Sequence, residues 1–469
     1  MRTLLMSVLL ACGLCAQGAD KPNIVIIFLD DLGYADIGSF GATKQRTPHL
    51  DRMAQEGMKL TSFYAAPVCS VSRAQLLTGC YGVRVSVPGV YGPNNRNGLN
   101  PAEFTIADRL KEQNYATMCI GKWHVGDQPE FLPTRQGFDH YVGLPYSNDM
   151  MRQAENGTEG VVPLMHDEKI ESLLTGAQQS TLTQRYTDEA VKFITTNKDK
   201  PFFLYLPHTA VHVPIYPGPD FAGKSANGRF GDWVEEVDAS TGQILQTLEK
   251  LNIANNTMVI FTSDNGPWGS KGADAGSAAP LRGTKGGTWE GGVRVPTLAW
   301  WPSRIPAGKT CDAVAGTIDL LPTCVSIAGG AVPAMPVIDG TDISPLLFAT
   351  STTSPRDAHY YFNCYTLQAV RQGPWKLAVK PQPEGMGAKI LPDAAGDDPR
   401  LYHLDQDIGE SKNVAAANPE IVARLQALIT KMDTEIGGNK PTARRPAGEV
   451  EVPKPLYPFI EKKKNEKAK

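Results

Sequence analysis

Short, unbroken apolar runs recur along the chain, separated by longer stretches in which apolar residues return every three or four positions. Residues 23–29 (NIVIIFL) form the first run, and 115–120, 202–206, 258–262 and 297–301 repeat the pattern. A strand covered on both faces has this composition, whereas a half-exposed strand alternates. Between the runs, 47–58 (with Pro48 in its first turn), 182–196 and 230–251 read as helices. In the last of these Trp233, Val237, Ile244, Leu245, Leu248 and Leu251 recur at near-helical spacing. Thr105-Ile106-Ala107-Asp108 has the form of a capping box opening a helix through Gln113, and 319–328 reads as a helix closed by Gly329-Gly330. This alternation predicts an α/β domain, a large mixed and mostly parallel sheet flanked by helices. Beyond about Leu347 the pattern changes. A hairpin at 369–379 around Gly373-Pro374, a short strand at 401–404 and an amphipathic helix at 419–436 predict a smaller C-terminal α+β subdomain.

The N-terminus is set apart. Residues 1–19 read as a removable export signal, with Arg2 as a minimal basic start, an apolar run at 4–11 and a small-residue cleavage context at Ala16-Gln17-Gly18. A periplasmic or secreted protein is therefore expected. Leu10-Ala11-Cys12 also resembles a lipoprotein cleavage site, which would add a lipid tether. No stretch reaches the roughly 20 apolar residues that a membrane-spanning helix needs. The expected organisation is thus a signal at 1–19, a catalytic domain at 20–347, a subdomain at 348–440 and a mobile, Pro- and Lys-rich tail at 441–469. A formal charge of -3 over 469 residues argues against nucleic acid as a partner. Of the cysteines left after cleavage, none has zinc-ligand spacing, and Cys311 with Cys324 is the most local candidate disulfide.

The chemistry concentrates at strand ends. Asp30 and Asp31 follow the first strand, Lys122 and His124 the second, His208 and His212 the third, and Asp264 and Asn265 the fourth. In open α/β sheets ligands bind outside the carboxyl ends of the strands. Three carboxylates and an amide are hard oxygen donors, suited to Ca²⁺ or Mg²⁺. A further segment, Pro67-Val68-Cys69-Ser70-Val71-Ser72-Arg73, leads into a helix over 72–78 with Gly79 placed for a left-handed cap. Cys69 then lies at or just before a helix N-terminus, where free N–H groups favour an anion. Lys285 sits in a loop rich in glycine, Leu281-Arg282-Gly283-Thr284-Lys285-Gly286-Gly287, that lets backbone approach a ligand closely. A metal with lysines, an arginine and histidines describes a site for a charged oxyanion ester.

The Cys69 to Gly79 stretch and Gly121-Lys122-Trp123-His124 resemble the signatures of the type I sulfatases of the alkaline phosphatase superfamily, of the arylsulfatase A and N-acetylgalactosamine-6-sulfatase type. Gly373-Pro374-Trp375-Lys376-Leu377 and Leu401-Tyr402-His403-Leu404-Asp405 resemble that family's C-terminal subdomain. The resemblance implies hydrolysis of sulfate monoesters, such as those of a sulfated saccharide. It implies that a maturation enzyme oxidises Cys69 to formylglycine, whose hydrate is both nucleophile and metal ligand. Asp30, Asp31, Asp264 and Asn265 would hold calcium, with magnesium the second choice. Arg73 would stabilise the formylglycine, and Lys122 and Lys285 would clamp the sulfate. His124 would take a proton from the hydrate. His212 would bind sulfate or protonate the leaving oxygen, with Lys285 as the competing acid. Val71 departs from the family pattern, which has proline or alanine there, and Asn114 replaces a usual glycine before Tyr115. A phosphate or phosphonate monoester hydrolase of the same fold, and a non-catalytic sulfated-glycan-binding protein, are the alternative readings.

Overall fold

The computed structural model describes residues 21–460; the signal read at 1–19 and the end of the tail lie outside them. An 11-stranded mixed sheet forms the centre of the large domain. Its middle strands are β1 (Asn23–Leu29), β2 (Ala116–Ile120), β3 (Phe202–Pro207) and β4 (Thr257–Ser263), joined by the antiparallel β5 (Thr297–Trp300). In space the order is β5-β4-β1-β3-β2, with β4, β1, β3 and β2 parallel. The unbroken apolar runs are explained by burial on both faces. Ile24, Ile26 and Phe28 point into one core, and Val25, Ile27 and Leu29 into the other. The first core receives α1 (Cys69–Thr78), whose every residue is buried. The second receives α2 (Leu182–Thr196) and α3 (Gly228–Lys250), through Tyr186, Phe193, Trp233, Val237 and Ile244 among others.

The C-terminal subdomain is a four-stranded antiparallel sheet, β6 (His359–Asn363), β7 (Thr366–Gln372), β8 (Trp375–Ala378) and β9 (Arg400–His403), covered by α4 (Pro419–Glu435). Two expectations change. The stretch 441–460, read from composition as a mobile tail, is laid along the large domain. Gly448–Glu449 pairs with Asn97–Gly98, Arg445 Nε donates to Glu103 at 2.7 Å, and Tyr457 Oη donates to the Val161 carbonyl at 2.9 Å. Low apolar content did not prevent ordering, because the backbone and charged groups found partners on the domain edge. Cys311 and Cys324, the candidate disulfide, are both free thiols, as are the other described cysteines.

Buried carboxyls away from the strand ends make stability depend on pH. Glu236 on α3 accepts the Gly218 N–H at 2.7 Å, Asp238 accepts the Leu50 N–H at 2.8 Å, and Asp36 accepts those of Gly33 and Ser277. Burial outweighs these bonds and raises each pKa to about 7. The folded form therefore retains protons that the unfolded chain gives up at lower pH. Stabilisation present below the ordinary carboxyl range is lost as pH rises through about 7. The contribution of these three carboxyls to the melting temperature is expected to fall between about pH 5 and about pH 8, so the melting temperature of Glu236→Gln relative to the native protein should rise over that range. Equal slopes for the native protein and the variant would show that Glu236 does not titrate there.

Candidate active site

Register builds the acidic half of the site. Leu29 of β1 pairs with Ser263 of β4, so the next residue of each strand sets Asp30 beside Asp264. Asp31 then turns the chain with φ 61°, and Asn265 Nδ2 donates to its Oδ1 at 2.7 Å. A non-glycine residue held at positive φ is uncommon and gathers at functional sites. His124, after β2, is a second case, with φ 63°. It follows Gly121, which no other residue replaces easily: φ is 128° and a Cβ there would stand 1.9 Å from the Pro207 carbonyl oxygen. That close approach of the β2 and β3 ends brings Lys122 under the site.

α1 supplies the rest. The helix begins at Cys69, three residues before the expected start, and Gly79 (φ 68°) closes it as expected. Cys69 and Arg73 are one turn apart and so share a face. Arg73 Nη2 donates to Asp264 Oδ2 at 2.8 Å and to Asp30 Oδ2 at 3.2 Å. Lys122 Nζ pairs with Asp30 and lies 3.1 Å from Ser147 Oγ, and Lys285 Nζ lies 2.7 Å from Asp31 Oδ1. His212 Nε2 is 3.7 Å from Asp31 Oδ2. All these groups are buried. Every residue singled out at the strand ends thus meets at one place except His208, which packs against Tyr186 away from the cluster.

The electrostatics are those of a buried cluster in which carboxylates and cations shift one another. Burial raises the Asp30 pKa, but Lys122, His212, Arg73 and Lys285 overcome it and hold the group well below the carboxylate range. Burial and the Asp30 charge push Asp264 up to about 7, against Arg73. Burial also raises Asp31, against Lys285. Among the described residues, Asp30 Oδ1, Asp31 Oδ2 and Asn265 Oδ1 are buried and find no hydrogen-bond donor. Ligand atoms of Asp30, Cys69 and Asp264 come within 4.8 Å of one another. Orphaned buried oxygens are costly, and converging hard donors of this kind fit an oxygen-seeking divalent cation.

Both histidines have assignable tautomers, because a carbonyl only accepts. His124 Nε2 donates to the Tyr91 carbonyl at 2.9 Å, leaving Nδ1 buried and unpartnered. His212 Nδ1 donates to the Val213 carbonyl at 2.6 Å, leaving Nε2 toward the cluster. Burial first, then neighbouring cations, lowers both pKa values well below the usual histidine range, so both rings are neutral at neutral pH.

Sequence reasoning missed several supports. Trp268 lies under Lys285, with Nζ 4.6 Å from the ring centre, and packs beside His212. Its only signal was its place just after Asp264 and Asn265. The Lys285 loop is gripped from both domains. Gly286 N–H donates to the Pro67 carbonyl at 2.8 Å, and Asn363 Nδ2 to the Gly286 carbonyl at 3.1 Å. Glu290 anchors the loop's far end, accepting from Tyr361 Oη at 2.8 Å and pairing with Lys376 at 3.1 Å, while Lys376 also meets Glu410 at 2.7 Å.

Residues 22–331 match the family model described as Sulfatase. The chain is 38% identical to arylsulfatase A of Homo sapiens over 476 residues, covering 93% of this chain and 92% of the relative. It is 40% identical to N-acetylgalactosamine-6-sulfatase of Canis lupus familiaris, covering 79% of this chain and 74% of the relative. Among solved structures, the PsFucS1 sulfatase from Pseudoalteromonas sp. superposes with a TM-score of 0.79 at 29% identity, covering 88% of this chain and 90% of that one.

Proposed function

The chain belongs to the sulfatase family and is a sulfuric ester hydrolase, and from that premise we propose a calcium- and formylglycine-dependent enzyme, exported and acting on a sulfated saccharide. The observation that carries the reading is that ligand atoms of Asp30, Cys69 and Asp264 lie within 4.8 Å of one another at the start of α1, in a cluster where buried oxygens of Asp30, Asp31 and Asn265 find no hydrogen-bond donor. Asp30, Asp31, Asp264 and Asn265 would hold the cation. When bound, it supplies Lewis-acid polarisation of the sulfate oxygens and a lowered pKa for the attacking hydroxyl. Formylglycine, made from Cys69 by a maturation enzyme, supplies that hydroxyl as an aldehyde hydrate.

The chain's own residues do the remainder. Three carboxylates (Asp30, Asp31, Asp264) stand against three cations (Arg73, Lys122, Lys285), so a bound divalent ion leaves the site positive and selective for an anionic ester. Lys122 and Lys285 hold the sulfate and balance charge as the ester S–O bond breaks. Lys285 Nζ is held as a cation 2.7 Å from Asp31 Oδ1, a placement that suits a clamp on the sulfate. His124 accepts a proton at its free Nδ1. His212, with Nδ1 fixed on the Val213 carbonyl, turns Nε2 toward the cluster, where it would carry a proton from solvent to the leaving oxygen. The amino-sugar sulfate in the name of the N-acetylgalactosamine-6-sulfatase relative supports a saccharide substrate, and the signal-like 1–19 supports export.

Co-expression with a formylglycine-generating enzyme, followed by mass spectrometry of the Cys69 peptide and a screen of 2-O-, 4-O- and 6-O-sulfated sugars, tests the reading. Aldehyde at Cys69 with sulfate release is expected. An unmodified thiol in a protein that still hydrolyses the esters would refute the nucleophile, and aldehyde without any sulfate release would refute the saccharide assignment. A metal prediction is separable from turnover. Calcium is expected to raise the melting temperature of metal-stripped protein, and Asp31→Asn to weaken that response by about tenfold or more in calcium concentration. An unchanged calcium titration in the variant would remove Asp31 from the ligand set.

A further inference from the structure

A cleft of about 390 Å³ opens between the two domains, and among the described residues that line it none is charged. Three separate segments reach it, each through the residue adjoining a site group. Val68 precedes Cys69, Gly286 follows Lys285, and Val90 precedes Tyr91, whose carbonyl holds His124. The C-terminal subdomain supplies the opposite wall, with Phe362 and Met386. The volume is near the lower end of ligand-binding pockets, which span roughly 300–1,000 Å³. We propose that this cleft receives the alcohol part of the sulfate ester, and that this part is uncharged with an apolar face: a neutral sugar or an aryl ring, not a uronate-bearing chain. This rests on the sulfatase reading above and specifies the charge and polarity of the alcohol that the site accepts.

The physical reason is one of solvation. The ester's negative charge would be met by the buried cations of Lys122 and Lys285, to which a cation held by the carboxylates would add. A second anion on the alcohol would leave water for walls of valine, proline, phenylalanine and methionine with no cation to meet it, which is strongly unfavourable. The apolar face of a pyranose ring or an aryl ring loses nothing there and gains contact with Phe362 and Met386. Asn363 Nδ2 and both main-chain groups of Gly286 are held in the loop's own bonds, which leaves Asn363 Oδ1 as the acceptor at the edge for a neutral hydroxyl.

Cys364 lies on the same wall and is the exposed cysteine among the described residues, so its alkylation reports occupancy of the cleft without requiring turnover. The experiment uses the full matured protein with three probes: galactose 6-sulfate, 4-nitrophenyl sulfate, and a sulfated disaccharide carrying a glucuronate. Peptide mapping should show that the two neutral-alcohol probes slow iodoacetamide labelling of Cys364, and that the uronate probe does so only at about tenfold higher concentration or more. The relative potency of sugar and aryl probes tells which neutral alcohol the cleft prefers. Val90 is 39% exposed, so Val90→Lys places a cation at the cleft without burying it; it should shift the neutral-to-uronate ratio of kcat/KM toward the uronate by about tenfold. Equal labelling of Cys364 with and without every probe, or a native preference for the uronate ester, would overturn the cleft assignment while leaving sulfate release, and hence the proposed function, intact. Failure of all three probes to release sulfate would count against the proposed function, and Cys364 protection would still decide the cleft.

Discussion

Cys69→Ala should reduce sulfate release by more than about a thousandfold while leaving the fold and the calcium-dependent rise in melting temperature in place. The expectation follows from what the position can and cannot do. As a thiol, Cys69 is buried, and burial is the largest influence on it, raising its pKa above the ordinary value despite Lys122 and Lys285. A neutral thiol is a poor nucleophile, so a cysteine left in this environment would be inert. The cluster around it, however, is built to stabilise an oxygen anion. The chemistry therefore needs Cys69 to be changed into something that bears oxygen at Cβ, and alanine lacks the sulfur that is given up in that change. The alanine side chain fits the same space, so loss of activity should not come with unfolding. Sulfate release by ion chromatography, with melting curves on the same preparation, checks both halves. A variant retaining more than about a tenth of native activity would show that the attacking oxygen comes from elsewhere.

Val71 bears on how much of the protein reaches that state. It occupies the third position of α1, where the backbone N–H has no intrahelical acceptor; the first bond of the ladder is Ser72 N–H to the Val68 carbonyl at 3.1 Å. The fold therefore does not require a donor at Val71, and the proline usual in the family would fit there as well. The valine instead packs against Gly82 and lines the cleft.

The parts of the molecule that were readable from sequence are those governed by local or periodic rules. The β-branched runs could only be strands buried on both faces, and their ends carried the acidic and basic groups that the parallel register then brought together. The capping box at Thr105 and Asp108 formed as read, with Thr105 Oγ1 accepting the Asp108 N–H at 3.2 Å. What could not be read depends on pairs far apart in the chain. Nothing near Glu290 indicates that Lys376 would reach it, or that Asn363 would hold Gly286, so the grip of the small subdomain on the Lys285 loop was invisible. The hairpin of Gly160–His166 with Lys169–Thr175 was missed because its second strand is half exposed and mostly polar. Composition misled at 441–460, where order comes from edge pairing and a few anchors rather than from a core of its own.

Arg73 should be the costliest residue of the site to remove. It is fully buried, and its one guanidinium spans Asp264 and Asp30 at 2.8 and 3.2 Å while also donating to the Lys122 carbonyl. Arg73→Ala leaves two buried carboxylates facing each other with less compensation, a change that costs about 3–5 kcal/mol in comparable buried pairs. Arg73→Lys keeps the charge but not the fork: a single ammonium meets one carboxylate well and loses the second bond, so its loss should be intermediate. The two variants separate charge from geometry. With the lysine variant, a calcium titration should still raise the melting temperature. With the alanine variant, calcium should raise it more than in the native protein, because the site then lacks one positive charge that the ion partly restores. Activity should fall in both, since Arg73 sets the position of the helix start that presents Cys69 as well as the carboxylates that hold the ion. Melting curves within about 1 kcal/mol of native for Arg73→Ala, or a smaller calcium effect than native, would show that the carboxylates find their balance without Arg73, and that Lys122 alone holds Asp30 in place.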